Sequence, residues 1–202
     1  MGNTSGKNRQ LNFSEMRFDK SIVLIGEISS GKSTLAKKLS NQLQIPRASF
    51  GGYLLNYCKE NNIPENLRGD LQDLGQSMIE ADPDAFLKEV IEFSLQNSAN
   101  AIFEGVRHHV ILDAIVKISN TCIVVFIDAT YEQRLSRFLN REKEIDTGKT
   151  EIDFLKASSH PVELQVKELK ERSTFVITSG DSIDEDFVLL MNFIKPFLAG
   201  IV

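Results

Sequence analysis

Short apolar runs alternate along this chain with longer segments in which apolar residues recur every three or four positions. The runs indicate buried strands, and the spaced segments indicate amphipathic helices. The predicted strands are 21–25, 45–50, 100–105, 121–129 and 173–180. The predicted helices are 35–43, 53–61, 67–78, 83–95, 110–116, 131–144, 160–170 and 183–198. Continuously apolar strands separated by helices predict an α/β fold, in which a five-stranded parallel sheet has helices on both faces.

Polar and glycine-rich positions set the expected boundaries of these elements. Gly51 and Gly52 are expected to separate the second strand from the helix that follows it. The polar start of the chain predicts a flexible tail over residues 1–18, which leaves 19–202 as a single domain. The segment IDTGKTEID, at 145–153, is a polar interruption between two helices.

A glycine-rich segment joins the first predicted strand to the first predicted helix. It reads GEISSGKST over 26–34 and fits the P-loop pattern G-x-x-x-x-G-K-S. Successive backbone N–H groups of such a loop wrap an anionic phosphate, and glycine permits the tight bend. Lys32 is expected to reach the β- and γ-phosphates of a bound nucleotide, and the Ser33 hydroxyl to bind Mg²⁺. The candidate nucleotide-binding residues are Gly26, Ser29, Ser30, Gly31, Lys32, Ser33 and Thr34. The alternative is an ordinary turn between a strand and a helix.

An acid and several arginines follow the predicted strands or lie on their crossovers. Glu104 ends a strand, where P-loop enzymes often place an acid that steadies Mg²⁺ through water; the alternative is an acid that caps the next helix. The arginines are Arg68, Arg107, Arg134, Arg137 and Arg141. Each alone is typical of a solvated surface, but the arginine fork matches phosphate, and together they favour phosphoryl transfer between two anions.

The overall composition narrows the functional classes. The hydrophobic content of 42% and charged content of 25% are ordinary for a soluble globular protein. A net charge of -5 without a dense basic block makes a nucleic-acid partner an unfavourable interpretation. Cys58 and Cys122 have no metal-binding spacing, and no apolar run approaches the length of a membrane span. We therefore expect a cytoplasmic protein without a membrane partner.

This order of strands, P-loop, acid and arginines resembles the nucleoside monophosphate kinase family of P-loop kinases. It is also similar to the small relatives of that family that act on deoxynucleotides or dephospho-coenzyme A. The resemblance runs over about 22–198. Its motifs are GEISSGKST, SFGGYLL, NLRGDLQDLGQ, IFEGVR, FIDATYEQRLSRFLNR and FVITSGDSIDED.

The resemblance implies a P-loop fold with inserted acceptor-binding helices at about 51–98 and a short lid at about 142–158. It implies ATP and Mg²⁺ as cofactors and a nucleoside monophosphate-like acceptor. The expected acceptor-binding residues are Arg68, Gln72 and Arg107, and the expected metal-binding residues are Ser33 and Glu104. The expected catalytic residues are Lys32, Arg107, Arg137 and Arg141. Arg134 is a weaker lid candidate.

Several alternatives stay open. Glu27 places an acid inside a loop that must hold phosphate, which favours a nucleotide-binding regulatory module without a small-molecule acceptor. A metabolite kinase acting on a substrate like dephospho-coenzyme A is another alternative, and a kinase of nucleic-acid ends is disfavoured by the net charge. The polar segment assigned to the lid is equally consistent with an ordinary surface loop. The sequence leaves the oligomeric state and the acceptor's identity open.

Overall fold

The computed structural model describes residues 13–63, 68–95, 98–140, 150–180 and 182–198. The strands are β1 (Phe18–Ile25), β2 (Arg47–Ser49), β3 (Asn100–Glu104), β4 (Ser119–Asp128) and β5 (Phe175–Thr178). The helices are α1 (Lys32–Leu43), α2 (Phe50–Glu60), α3 (Arg68–Ala81), α4 (Pro83–Ser94), α5 (His109–Lys117), α6 (Tyr131–Asn140), α7 (Glu151–Ser158), α8 (Pro161–Glu168) and α9 (Ile183–Ile194). Short 3-10 turns cover Phe13–Glu15, Leu169–Arg172 and Lys195–Leu198.

The five strands form one parallel sheet in the order β2-β3-β1-β4-β5, which confirms the predicted sheet. The central strand β1 pairs with β3 on one side and β4 on the other, and Leu24 is in register with Glu104. Because parallel strands end at the same edge, the acid that ends β3 lies beside the loop that leaves β1. This edge carries the candidate site.

Both faces of the sheet are covered, which explains why the strands read as continuous apolar runs. Val23 and Ile25 face a cluster built with α2, α3, α4 and α5, whereas Ile22 and Leu24 face a cluster built with α1 and α9. A third, smaller cluster consists of Ile28, Phe138, Phe154 and Ala157. It packs the side chain of one P-loop residue against α6 and α7.

The start of the chain differs from the expected flexible tail. Met16 and Phe18 are buried in the first cluster, and Phe18 already belongs to β1. Because Met16 and Phe18 bury apolar side chains in the core, the expected tail boundary at residue 18 is wrong. Residues 1–12 lie outside the described residues.

Two helices also differ from expectation. Gly51 and Gly52 lie inside α2, because Ser49 caps the helix by accepting a hydrogen bond from the Gly52 N–H. The polar interruption contains the start of α7, where Thr150 and Asp153 form a reciprocal capping box. Capping chemistry in both places outweighs glycine content and polarity.

In the part of the chain that the structure describes, no helix combines the length and the apolar character that a membrane span requires.

Candidate nucleotide- and acceptor-binding site

The loop between β1 and α1 has a backbone that few residues can adopt. An added Cβ at Gly26 would lie 2.6 Å from Ser30 Oγ and 2.7 Å from the Ile127 carbonyl oxygen. Ser29 and Gly31 have φ angles of 61° and 98°, in the left-handed region. Backbone of this kind turns consecutive N–H groups towards one concavity, as an anion-binding loop requires. Gly26 therefore has a steric reason to be glycine.

The expected metal-binding pair is brought together at this loop. The Ser33 hydroxyl, in the first turn of α1, donates to Glu104 Oε2 at 2.6 Å. Arg47, the first residue of β2, pairs with Glu104 Oε1 at 2.5 Å and holds the buried carboxylate from the other side. Hydroxyl and carboxylate oxygens are the hard ligands that Mg²⁺ prefers, so Ser33 and Glu104 fit a magnesium ion. Sequence reasoning missed Arg47, since a single arginine at the start of a short strand carries no signal by itself.

Two charged P-loop side chains make contacts within the protein. Lys32 Nζ donates to the Glu27 carbonyl oxygen at 2.9 Å. The Glu27 carboxylate lies 3.3 Å from Arg134 Nη2 and 3.7 Å from Lys167 Nζ. Arg134 is itself buried, with its guanidinium 5.6 Å from the centre of the Phe154 ring. The negative charge of Glu27 is thus opposed by two cations, and Arg134 supports the loop from α6.

Arg137 connects the P-loop to the loop that follows β5. Its Nη1 donates to the Ser30 carbonyl oxygen at 2.9 Å. Its Nη2 donates to Ser179 Oγ at 3.0 Å and to the Gly180 carbonyl oxygen at 3.1 Å. Asp186, which is buried, accepts from Ser179 Oγ at 2.5 Å and from the Gly180 N–H at 2.8 Å. The Arg137 guanidinium is thus fixed against the P-loop backbone, and its role towards a bound phosphate stays a prediction.

A cavity of about 90 Å³ opens between α2, α3 and the segment that follows β3. Most of its walls are apolar, and its polar side chains are Gln72, Arg107 and His108. The lining residues are Phe50, Gly51, Leu54, Leu71, Gln72, Gly75, Ile79, Phe86, Gly105, Val106, Arg107, His108, Ile111 and Val162. Two of the three predicted acceptor-binding residues, Gln72 and Arg107, therefore line one cavity.

His108 is an uncharged member of this cavity at neutral pH. Burial, together with the neighbouring positive charge of Arg107, lowers the pKa of His108 to about 4. Its Nε2 lies 2.6 Å from Gln76 Oε1, and the Gln76 amide nitrogen donates to Glu80 at 2.5 Å. The ring is therefore a hydrogen-bond donor towards Gln76. Sequence reasoning gave His108 no role, because its burial depends on the tertiary fold.

Two predicted site residues fall wholly or partly outside the described residues. Arg68 begins α3, but its side chain is not described. Arg141 lies in the range 141–149, as does most of the expected lid. Only the final part of that lid, 150–158, is described, and it consists of α7 and its cap. The roles of Arg68, Arg141 and the lid stay predictions.

Comparisons with known proteins identify the family and the fold. A family model described as an AAA domain matches residues 22–156, which is about two thirds of the chain. The chain belongs to this AAA domain family. No curated protein matches the sequence of this AAA domain protein.

Solved structures share its fold. Shikimate kinase from Aquifex aeolicus vf5 is 18% identical with a TM-score of 0.54, and the match covers 89% of this chain and 99% of that one. Shikimate kinase from Acinetobacter baumannii in complex with shikimate is 14% identical with a TM-score of 0.58, covering 92% and 97%. A sugar kinase from Janibacter sp. HTCC2649 is 13% identical with a TM-score of 0.52, covering 88% and 95%. The predicted P-loop kinase fold is confirmed, whereas the nucleoside monophosphate kinase branch stays a prediction.

Proposed function

We propose that this AAA domain protein is an ATP- and Mg²⁺-dependent phosphotransferase that moves the γ-phosphoryl group to a small acceptor. The observation that carries the proposal is the buried hydrogen-bonded link between the P-loop and the cavity. Glu163 accepts from the Ile28 N–H at 3.0 Å and also pairs with Arg107 in the cavity wall. Donor loop and cavity are thereby held together at one edge of the sheet, as transfer between two bound substrates requires.

Residues of the P-loop, of α6 and of β3 would bind the phosphates and compensate their charge. An acceptor oxygen forms a bond to the γ-phosphorus while the bond to the β–γ bridging oxygen breaks, and ADP leaves. Lys32 and Arg137 would compensate the negative charge that spreads over the transferring group. Ser33 and Glu104 would hold Mg²⁺, which supplies further charge compensation on the phosphates when it is bound.

The favoured acceptor is a nucleoside monophosphate or its deoxy form. The apolar cavity walls suit a planar base, and the guanidinium of Arg107 suits a phosphate. We assign α2 to α4, within the expected range 51–98, as the acceptor-binding helices, because α2, α3 and α4 all contribute lining residues. Since His108 is uncharged at neutral pH, Arg107 is the cation that the described cavity residues offer.

A hydroxyl-bearing metabolite is the second acceptor class. The observation in its favour is that buried Glu163 opposes the charge of Arg107, which weakens the attraction of the cavity for a phosphate dianion. Structural neighbours with the names shikimate kinase and sugar kinase agree with this class.

The two cysteines of the described chain, Cys58 and Cys122, are free thiols, which suits an enzyme working on ATP in a reducing cytoplasm.

The test is ADP release from ATP and Mg²⁺ across a panel of acceptors. The panel contains the ribo- and deoxynucleoside monophosphates, dephospho-coenzyme A, shikimate and common sugars, and Lys32→Ala is the control. We expect ADP release that needs both one acceptor class and Lys32, while the far-UV circular dichroism of Lys32→Ala matches the wild type. Nucleotide binding without acceptor-stimulated ADP release would contradict the proposal and favour a regulatory module.

A further inference from the structure

Glu163, in the first turn of α8, is a fully buried acid at the junction of several elements. Its Oε2 accepts from the Ile28 N–H of the P-loop at 3.0 Å. Its Oε1 forms the ion pair with Arg107 and accepts from Gln72 Nε2 at 3.2 Å. One carboxylate therefore contacts the nucleotide-binding loop with one oxygen and two cavity residues with the other.

The buried Glu163 carboxylate is stable only when its hydrogen-bond partners and its cation are held in fixed positions around it. A carboxylate removed from water is strongly unfavourable unless its oxygens are hydrogen-bonded and its charge is compensated. Here the charge is compensated by Arg107, and the remaining bonds come from Gln72 and Ile28. Because the partners lie on different elements, a shift of the carboxylate changes the P-loop and the cavity wall together.

The same acid also fixes the orientation of the Gln72 amide. Gln72 Nε2 donates to Glu163 Oε1 and to the Ala157 carbonyl oxygen at 3.3 Å, and both partners are acceptors. A flipped amide would place its oxygen against those two acceptor atoms, so only one orientation is compatible with Glu163. Glu163 therefore fixes the orientation of both the Gln72 and the Arg107 side chains.

We propose that Glu163 is a positioning residue that couples the acceptor cavity to the P-loop by holding Arg107, Gln72 and Ile28 in one arrangement. This inference rests on the proposed function, since it assigns the acceptor to the cavity. Glu163 itself would touch neither substrate. A purely structural role, in which the acid only favours the start of α8, is the competing interpretation.

The first experiment compares Glu163→Gln with a matched control. Glu168→Gln makes the same change at the other end of α8, where the side chain is exposed and contacts His109. We expect Glu163→Gln to lower kcat/KM for the acceptor by about a hundredfold, because small misplacements of a binding group have effects of that size. ATP affinity should fall by less than the acceptor kcat/KM, because Ile28 is only one of several P-loop residues, and Glu168→Gln should retain wild-type kinetics. A Glu163→Gln variant that retains the wild-type acceptor kcat/KM would overturn the inference.

A second pair of variants covers the risk that Glu163→Gln unfolds. Removing one member of a buried ion pair leaves an uncompensated charge, whereas removing both members does not. We expect the double variant Glu163→Gln/Arg107→Gln to fold and to lose only about tenfold more acceptor kcat/KM than Arg107→Gln, because most of the effect of Glu163 on the acceptor passes through Arg107 and the rest through Gln72. Fully additive losses would overturn the inference.

Failure of the proposed function would be recognised separately, because the wild type would then release no ADP with any acceptor. In that case hydrogen exchange of the folded variants tests whether Glu163 is coupled to the P-loop. Faster exchange at the Ile28 N–H in Glu163→Gln than in Glu168→Gln supports a link between Glu163 and the P-loop. Equal exchange in the two variants overturns it.

Discussion

His108 should make the stability of the protein depend on pH in a measurable way. Its ring is 6% exposed and lines the cavity, and burial lowers the pKa to about 4 from an ordinary value of about 6.5. The unfolded chain takes up a proton as the pH falls through 6.5, whereas the folded protein does not until about pH 4. The stability that depends on neutral His108 is therefore fully present above about pH 6.5 and is lost as the pH falls towards 4.

The size of the effect follows from the two pKa values. Each pKa unit corresponds to about 1.4 kcal/mol, so the whole window is worth about 3 kcal/mol. Between about pH 7.5 and pH 5, the linkage relation gives a loss of about 2 kcal/mol. Other groups also titrate in this interval, so the prediction concerns the part of the pH dependence that disappears when His108 is replaced.

Urea unfolding at the two pH values measures this part. His108→Gln retains a polar side chain but removes the titration, and any direct effect on packing cancels when the two pH values are subtracted. We expect the loss of unfolding free energy between pH 7.5 and 5 to be about 2 kcal/mol smaller in His108→Gln than in wild type. Equal losses in wild type and His108→Gln would refute the reasoning.

Two further substitutions test the loop and its support. Gly26→Ala should lower the unfolding free energy by about 1–3 kcal/mol, because the new methyl group meets Ser30 and the Ile127 backbone. It should also abolish binding of an ATP analogue in calorimetry. Gly51→Ala is the control, since nothing lies within 4 Å of the added methyl group, and it should have neither effect. Phe154→Ala should lower the unfolding free energy by about 3–5 kcal/mol in urea, because this ring is fully buried in the third cluster, and a loss below about 1 kcal/mol would contradict that packing.

The nucleotide-binding half of the site could be predicted because its residues are contiguous. A strand, a glycine-rich turn and a helix follow one another within about a dozen positions, and the motif reports local backbone geometry. Glu104 could be placed as well, since it ends a predicted strand, and parallel strands end at one edge of the sheet. Its contact with Ser33 agrees with the expected pairing.

The cavity that we propose for the acceptor could be predicted only in part. Arg107 and Gln72 came from a resemblance in local sequence, but Glu163 carried no such signal, because an acid in the first turn of a helix is common. Its cavity partners Arg107 and Gln72 lie 56 and 91 residues away along the chain, and only the fold brings them together. The burial of His108 likewise depends on α3 and not on its sequence neighbours.

Errors in the helices have a local physical cause. The glycine pair and the polar run predict breaks in regular structure, whereas the capping residues beside them favour helix starts. Ser49 and Thr150 each satisfy backbone N–H groups at a helix start, and this is enough for α2 and α7 to form there. Capping residues should therefore be weighed before glycine content when a helix start is predicted.

The central claim is that the γ-phosphoryl group of ATP moves to an acceptor bound beside Arg107. The most direct test is to follow ATP labelled at the γ-phosphate and to separate the products after incubation with the acceptor panel and Mg²⁺. The account predicts that the label appears in a phosphorylated acceptor, that Lys32→Ala abolishes its transfer, and that Arg107→Gln slows it while Glu168→Gln does not. Label that appears only as inorganic phosphate, or that stays in ATP with every acceptor, would contradict it.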